Sequence, residues 1–128
     1  MAATHFRELD VWRLAMDLAK ATYVASAAFP REERFGLTSQ IQRAAVSIPS
    51  NIAEGNARGT TRDYARFVGI AQGSCAELQT QLILSKDFGL GAVSQVDHAL
   101  ELCDRVGQML PRLHQSLGRR IRSDALAH

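Results

Sequence analysis

Residues 92–117 read AVSQVDHALELCDRVGQMLPRLHQSL, and this stretch decides the fold class. Val93, Val96, Leu100, Cys103, Gly107, Leu110, His114 and Leu117 recur at alternating spacings of three and four and run on to Ile121, which is the period of one helix face. Ala99, Leu102, Val106, Met109 and Leu113 form a second stripe beside it, so the apolar face is wider than one antiparallel contact requires. That width points to self-association. Pro111 predicts a bend, and Arg119, Arg120 and Arg122 suit a helix C-terminus electrostatically. Residues 123–128 are expected to fray.

The same period recurs toward the N-terminus. From about Leu9 to Ala28, Val11, Leu14, Leu18, Ala21, Ala25 and Ala28 share a stripe opposite Asp10, Arg13, Asp17 and Lys20. Pro30 and Gly36 interrupt the pattern in a first connection. From about Thr38 to Ala57, Ile41, Ala45, Ile48 and Ile52 form the apolar side of a second helix with a fault in it. Pro49 has no N–H to give to the Ala45 carbonyl, a loss of roughly 3 kcal/mol in an ordinary helix interior that predicts a bend and some compensation. Gly55 and Gly59 bracket the end, and Thr60 followed by Asp63 resembles a capping box that starts a third helix. From about Thr61 to Phe88, Tyr64, Phe67, Ala71, Ser74, Leu78, Leu82 and Ser85 line one stripe. Ala65, Gly69, Gly73 and Ala76 line another, whose small residues suggest close approach by a neighbouring helix.

Four such helices on short loops, with no period-two alternation and no hairpin signal, predict an all-α, up-and-down four-helix bundle. The 128 residues fit one domain, expected over 1–122 with 123–128 as its tail. Hydrophobic residues at 46% exclude a disordered chain, and a net charge of +2 is too small to declare a nucleic-acid or membrane binder. No apolar run approaches the ~20 residues of a membrane span, and the N-terminus has no secretory core, so a cytoplasmic protein without membrane contact is expected. Cys75 and Cys103 read as reduced core thiols.

Signals for chemistry are weak. His98 and Glu101 share a face near Asp97 and Asp104, but a solvated face explains them better than a metal half-site. His114 falls on the apolar seam as a partly buried packing or interface residue. Ser47, Ser50 and Ser74 lack a nucleophile elbow, and no phosphate-cradling loop is present. No catalytic residue, cofactor, metal or small-molecule substrate is therefore expected. Arg58-Gly-Thr-Thr-Arg62 sets two cations and helix N–H groups where a phosphate could dock, with Arg66 one turn on. Residues 105–128 add five Arg against one Asp, so charge is uneven along the chain. A phosphate-tracking surface of Arg58, Arg62, Arg66, Arg119, Arg120 and Arg122 competes with a solvated face.

Ser47-Ile-Pro-Ser-Asn-Ile-Ala-Glu-Gly55 resembles the signature of a bacterial family of four-helix-bundle proteins first noticed as open reading frames in intervening sequences of large-subunit ribosomal RNA genes. The resemblance extends to Phe6, Leu9 and Trp12, to Phe29-Pro30 with Glu33, to Phe35-Gly-Leu37 with Gln40 and Arg43, and to Phe67, Gly73-Ser74 and Glu77. It covers about Phe6 to Leu117. It implies a bundle that assembles into a ring, typically a pentamer, without an established enzymatic activity. Similar proteins serve as accessory subunits of diversity-generating retroelements, where a basic pentameric barrel binds the reverse transcriptase and nucleic acid.

Within the motif a structural role is favoured: Pro49 bends the helix, Ala53 and Gly55 permit close packing, and Asn51 and Glu54 satisfy backbone or Arg groups. Ser47, Pro49, Asn51, Glu54 and Gly55 are thus expected to serve structure or oligomerisation, with Glu54 meeting a neighbouring subunit's Arg to fix ring register. The function expected is a non-enzymatic homo-oligomeric adaptor, with RNA, DNA or a nucleic-acid enzyme as partner. The alternative is a purely protein-binding or structural scaffold.

Overall fold

Each amphipathic stripe becomes the buried face of a helix. The computed structural model describes residues 5–127; residues 1–4 and His128, at the edges of the expected domain and tail, lie outside that range. A 3-10 turn at Phe6–Glu8 precedes α1 (Asp10–Ala27), and another at Arg31–Glu33 interrupts the connection to α2 (Leu37–Ala57). Then come α3 (Thr61–Asp87) and α4 (Val93–Ala127). No strand occurs among the described residues.

Local chemistry sets the boundaries. The α1 pattern ends ahead of Phe29-Pro30, because the proline ring disfavours helix in the residue before it. Gly59 breaks the path between α2 and α3 at φ +88°, a left-handed turn that a side chain would strain. The Thr60 hydroxyl then caps α3, accepting the Asp63 N–H at 3.2 Å as its sequence predicts. Gly91, at φ +70°, lets the chain re-enter a helix while Phe29 packs against it.

α1 packs on α2 and α4, and α3 packs on the same two; the diagonal pairs do not meet. This is the expected up-and-down four-helix bundle. Its core holds Leu18 of α1, Ile41, Ile48 and Ile52 of α2, Val68, Leu78 and Leu82 of α3, and Val96, Val106, Leu110 and Leu117 of α4, all shielded from solvent.

Four expectations need correction. The double stripe of α4 serves two neighbours inside the bundle, α1 and α3, so its width is no sign of self-association. His114 is exposed rather than partly buried on the seam. The tail expected to fray from 123 is helical to Ala127, because no proline follows Pro111 and Ala125, Leu126 and Ala127 favour helix. The Gly69 and Gly73 stripe is not a close-approach seam: Gly73 faces open space, and Gly69 meets only His114 Nε2 at 3.7 Å. Of that stripe only Ala65 joins the core, while Gly73 and Ala76 are exposed.

Close approach falls instead at Gly55, where a Cβ would sit 2.7 Å from Phe67 Cβ and 3.3 Å from Tyr64 Cα. Gly55→Ala is therefore expected to lower stability by about 1–3 kcal/mol, since α2 and α3 must move apart. Gly73→Ala should raise it by about 0.5–1 kcal/mol through helix propensity alone. Urea unfolding of both variants checks the pair, and the opposite order would contradict the packing.

Candidate functional site

The signature segment sits mid-way along α2, where Pro49 is buried and the helix runs through it. The missing bond to Ala45 is accompanied by extra side-chain bonds to the next two carbonyls. Ser50 Oγ donates to the Val46 carbonyl at 2.7 Å, and Asn51 Nδ2 donates to the Ser47 carbonyl at 2.8 Å. Asn51 Nδ2 also reaches Ser47 Oγ at 2.9 Å, and Ser47 Oγ shares a 2.8 Å hydrogen bond with Ser74 Oγ on α3. The fault is thereby cross-linked to the neighbouring helix by a short polar chain. The sequence shows Ser74 on the α3 stripe and in the family resemblance; nothing in its spacing signals Ser47 as partner.

Glu54 lies one turn on, and its carboxylate pairs with Arg58 of the same helix at 3.3 Å. Both side chains are about half exposed, so the pair contributes a few tenths of a kcal/mol at most. Glu54 already has a cation in its own chain.

The six arginines lie at one end of the bundle. α3 and α4 are antiparallel in a steady register. Lys86 Nζ meets Asp97 at 2.8 Å, Gln79 bonds Asp104, Gly69 faces His114, and Arg120 acts on Tyr64 in the first turn of α3. Each step forward along α3 is matched by one back along α4. Arg62 and Arg66 therefore lie level with the stretch carrying Arg119, Arg120 and Arg122, and Arg58 enters from the adjoining turn. All six are exposed.

Phe67 organises two of them. Its ring lies 5.1 Å from the Arg58 guanidinium carbon and 4.5 Å from that of Arg66, while Gly55 presses on its Cβ. Each cation–π contact is worth about 0.5–1 kcal/mol at an exposed site. In the sequence Phe67 reads as an apolar-stripe residue; its role as a platform depends on a turn that brings Arg58 back over α3. The N-terminus of α3 is less open to anions than the sequence suggests. Thr60 takes the Asp63 N–H, and the Asp63 carboxylate sits in the first turn. The guanidinium groups, more than the helix end, are what the site offers. Burial holds the Tyr64 phenol above its ordinary value, and Asn56 and Arg120 draw it part of the way back.

The metal half-site weighed in the sequence does not assemble. Among the described residues no group of three or more His, Cys, Asp or Glu is placed to hold a metal ion. His98 and Glu101 are exposed, and Asp97 and Asp104 are engaged by Lys86 and Gln79.

The family model for 23S rRNA-intervening sequence protein matches residues 7–112. The chain belongs to the 23S rRNA-intervening sequence protein family. No curated protein matches it. The family match takes in the α2 segment and Arg58, Arg62 and Arg66, and it ends before Arg119, Arg120 and Arg122. The basic end of this family member is thus built partly from the shared bundle and partly from the last turns of α4.

Asn51→Ala is expected to cost about 1–2 kcal/mol, because it strips bonds from the helix beside Pro49. The Ser47→Ala and Ser74→Ala pair should couple by about 0.5–1 kcal/mol in a double-mutant cycle read by urea unfolding. Ser50→Ala, which removes only a solvent-facing back-bond, serves as the near-neutral control.

Proposed function

We propose that this member of the 23S rRNA-intervening sequence protein family is a non-enzymatic, homo-oligomeric adaptor that contacts nucleic-acid phosphates through one basic end. The observation that carries the reading is that Arg58, Arg62, Arg66, Arg119, Arg120 and Arg122 all lie exposed at one end of the bundle. A guanidinium is always charged and presents several donors to a phosphate. Exposed arginines without a groove-entering element track a backbone and leave bases unread. The partner is RNA, DNA or an enzyme that works on them, and the reading needs no cofactor, metal or small-molecule substrate. No helix among the described residues is long and apolar enough to cross a membrane, and we place the adaptor in the cytoplasm.

Assembly finds support on a different face. Between α1 and α2 a groove of about 350 Å³ is lined by Phe6, Trp12, Met16, Val46, Pro49 and Ala53, with Val46 43% exposed at its edge. A second copy covering this face would remove apolar surface from water, and the pentamer is the ring that the resemblance implies. The same groove favours the alternative, a protein-binding scaffold with no nucleic-acid role.

Equilibrium binding to labelled structured RNA and duplex DNA across a salt series separates the two. The wild-type oligomer should bind at low salt and weaken steeply as salt rises. The Arg58→Ala/Arg62→Ala/Arg66→Ala variant should bind weakly, with a slope of log affinity against log salt lower by about 3 if all three contact phosphate. No binding at low salt would leave the scaffold reading. Val46→Glu should lower the particle mass measured by light scattering while preserving helix content; an unchanged mass would exclude the α1–α2 face as the assembly surface.

A further inference from the structure

The adaptor reading leaves one pair of nucleophiles unused. Cys75 of α3 and Cys103 of α4 are both free, with Sγ atoms 3.8 Å apart. Each thiol also approaches the other residue's carbonyl oxygen, Cys75 Sγ at 3.6 Å and Cys103 Sγ at 3.5 Å. The two side chains therefore reach across the α3–α4 seam toward each other. A disulfide needs its sulfurs at about 2.05 Å, and the gap left is within the range of side-chain torsion.

We infer that Cys75 and Cys103 form a peroxide-reactive dithiol that closes to an intrachain disulfide between α3 and α4. The pair is asymmetric in access. Cys103 is 1% exposed, whereas Cys75 is 5% exposed at the floor of a groove of about 170 Å³ lined by Gln72, Gln79, Gly107 and Pro111. Gly107 leaves that floor uncovered, because a Cβ in its place would lie in van der Waals contact with Cys75 Sγ, at 3.7 Å. A peroxide fits such a groove; a bulky disulfide does not. The hydrogen bond with Cys75, then burial, then the Asp104 charge hold the Cys103 thiol above its ordinary value. Cys75 borders the groove and Cys103 does not, and the same bond stabilises a Cys75 thiolate, so Cys75 is the attacking sulfur.

The chemistry balances in two steps. The Cys75 thiolate attacks one peroxide oxygen, the O–O bond breaks, and the departing oxygen leaves as water after taking up the thiol's proton. The Cys75 sulfenic acid that results is attacked by the Cys103 sulfur. The S–S bond forms as the S–O bond breaks, and the hydroxide departs with the Cys103 proton as a second water. Two thiols and one hydrogen peroxide give one disulfide and two waters, the sulfurs losing the two electrons that the peroxide gains.

The test is exposure of the full-length protein to hydrogen peroxide, followed by intact mass, thiol titration in denaturant and peptide mapping under non-reducing conditions. The expected product is a single chain lighter by two hydrogen atoms, with Cys75 and Cys103 in one linked peptide pair. Its thermal midpoint should be raised and should return to the starting value with dithiothreitol. In Cys103→Ser, dimedone should trap a sulfenic acid on Cys75; in Cys75→Ser, Cys103 should stay a thiol. A chain that keeps both thiols, becomes over-oxidised without a link, or links only between chains overturns the proposal. Reversal of the two trapping results overturns the assignment of Cys75 as the attacking sulfur. Should either serine variant fail to fold, the wild-type peptide map alone decides whether the link forms.

Discussion

The close seat of Phe67 on Gly55 is the contact through which the bundle and its basic end depend on each other. Any side chain at position 55 would collide with the Phe67 Cβ at 2.7 Å, so α2 and α3 are held at a distance only glycine permits. That distance places the Phe67 ring beneath Arg58 and Arg66. The three-residue turn between the helices works only because Gly59 accepts a left-handed backbone, which sends the chain straight back and puts Arg58 over α3. Core packing and surface charge are thus set by the same few residues.

The proline of α2 belongs to this arrangement. A buried Pro49 removes one helix bond, and Ser50 and Asn51 bond the carbonyls immediately after it. Asn51 extends the repair to Ser47, and Ser47 extends it to Ser74, so the weak point of α2 is braced against α3. Partly buried polar chains of this kind are favourable when every member is satisfied. The brace lies two turns from Gly55 along the same seam, and the two act together on the α2–α3 spacing.

The fold was legible because helix periodicity is a local property. Ile41, Ala45, Ile48 and Ile52 were readable as one face without knowledge of their partners, and so were Leu78 and Leu82. What periodicity does not carry is how many neighbours a face serves. The double stripe of α4 looked like a surplus, yet a square bundle gives every helix two neighbours, and α1 and α3 use both stripes. Glycine is similarly mute about its reason: Gly55 is a contact and Gly73 is open space, although both sit in helices. The arginines were readable as residues but not as a group. Their placement at one end depends on the register of α3 against α4, which is fixed by distant pairs such as Lys86 with Asp97.

That register also decides how the basic end should be weighed. Net charge is +2 over the chain, so no global field steers a polyanion to it, and attraction depends on local density. Locally, Glu54 offsets part of Arg58, and Asp63 sits in the first turn of α3. One copy therefore offers a modest site. A ring that repeats the same end several times around an axis multiplies weak phosphate contacts along one strand, because each further contact is made at the effective concentration set by the first. On the proposed reading, assembly through the α1–α2 groove and affinity at the arginine end are consequently a single property, and the apolar face matters to nucleic acid without touching it.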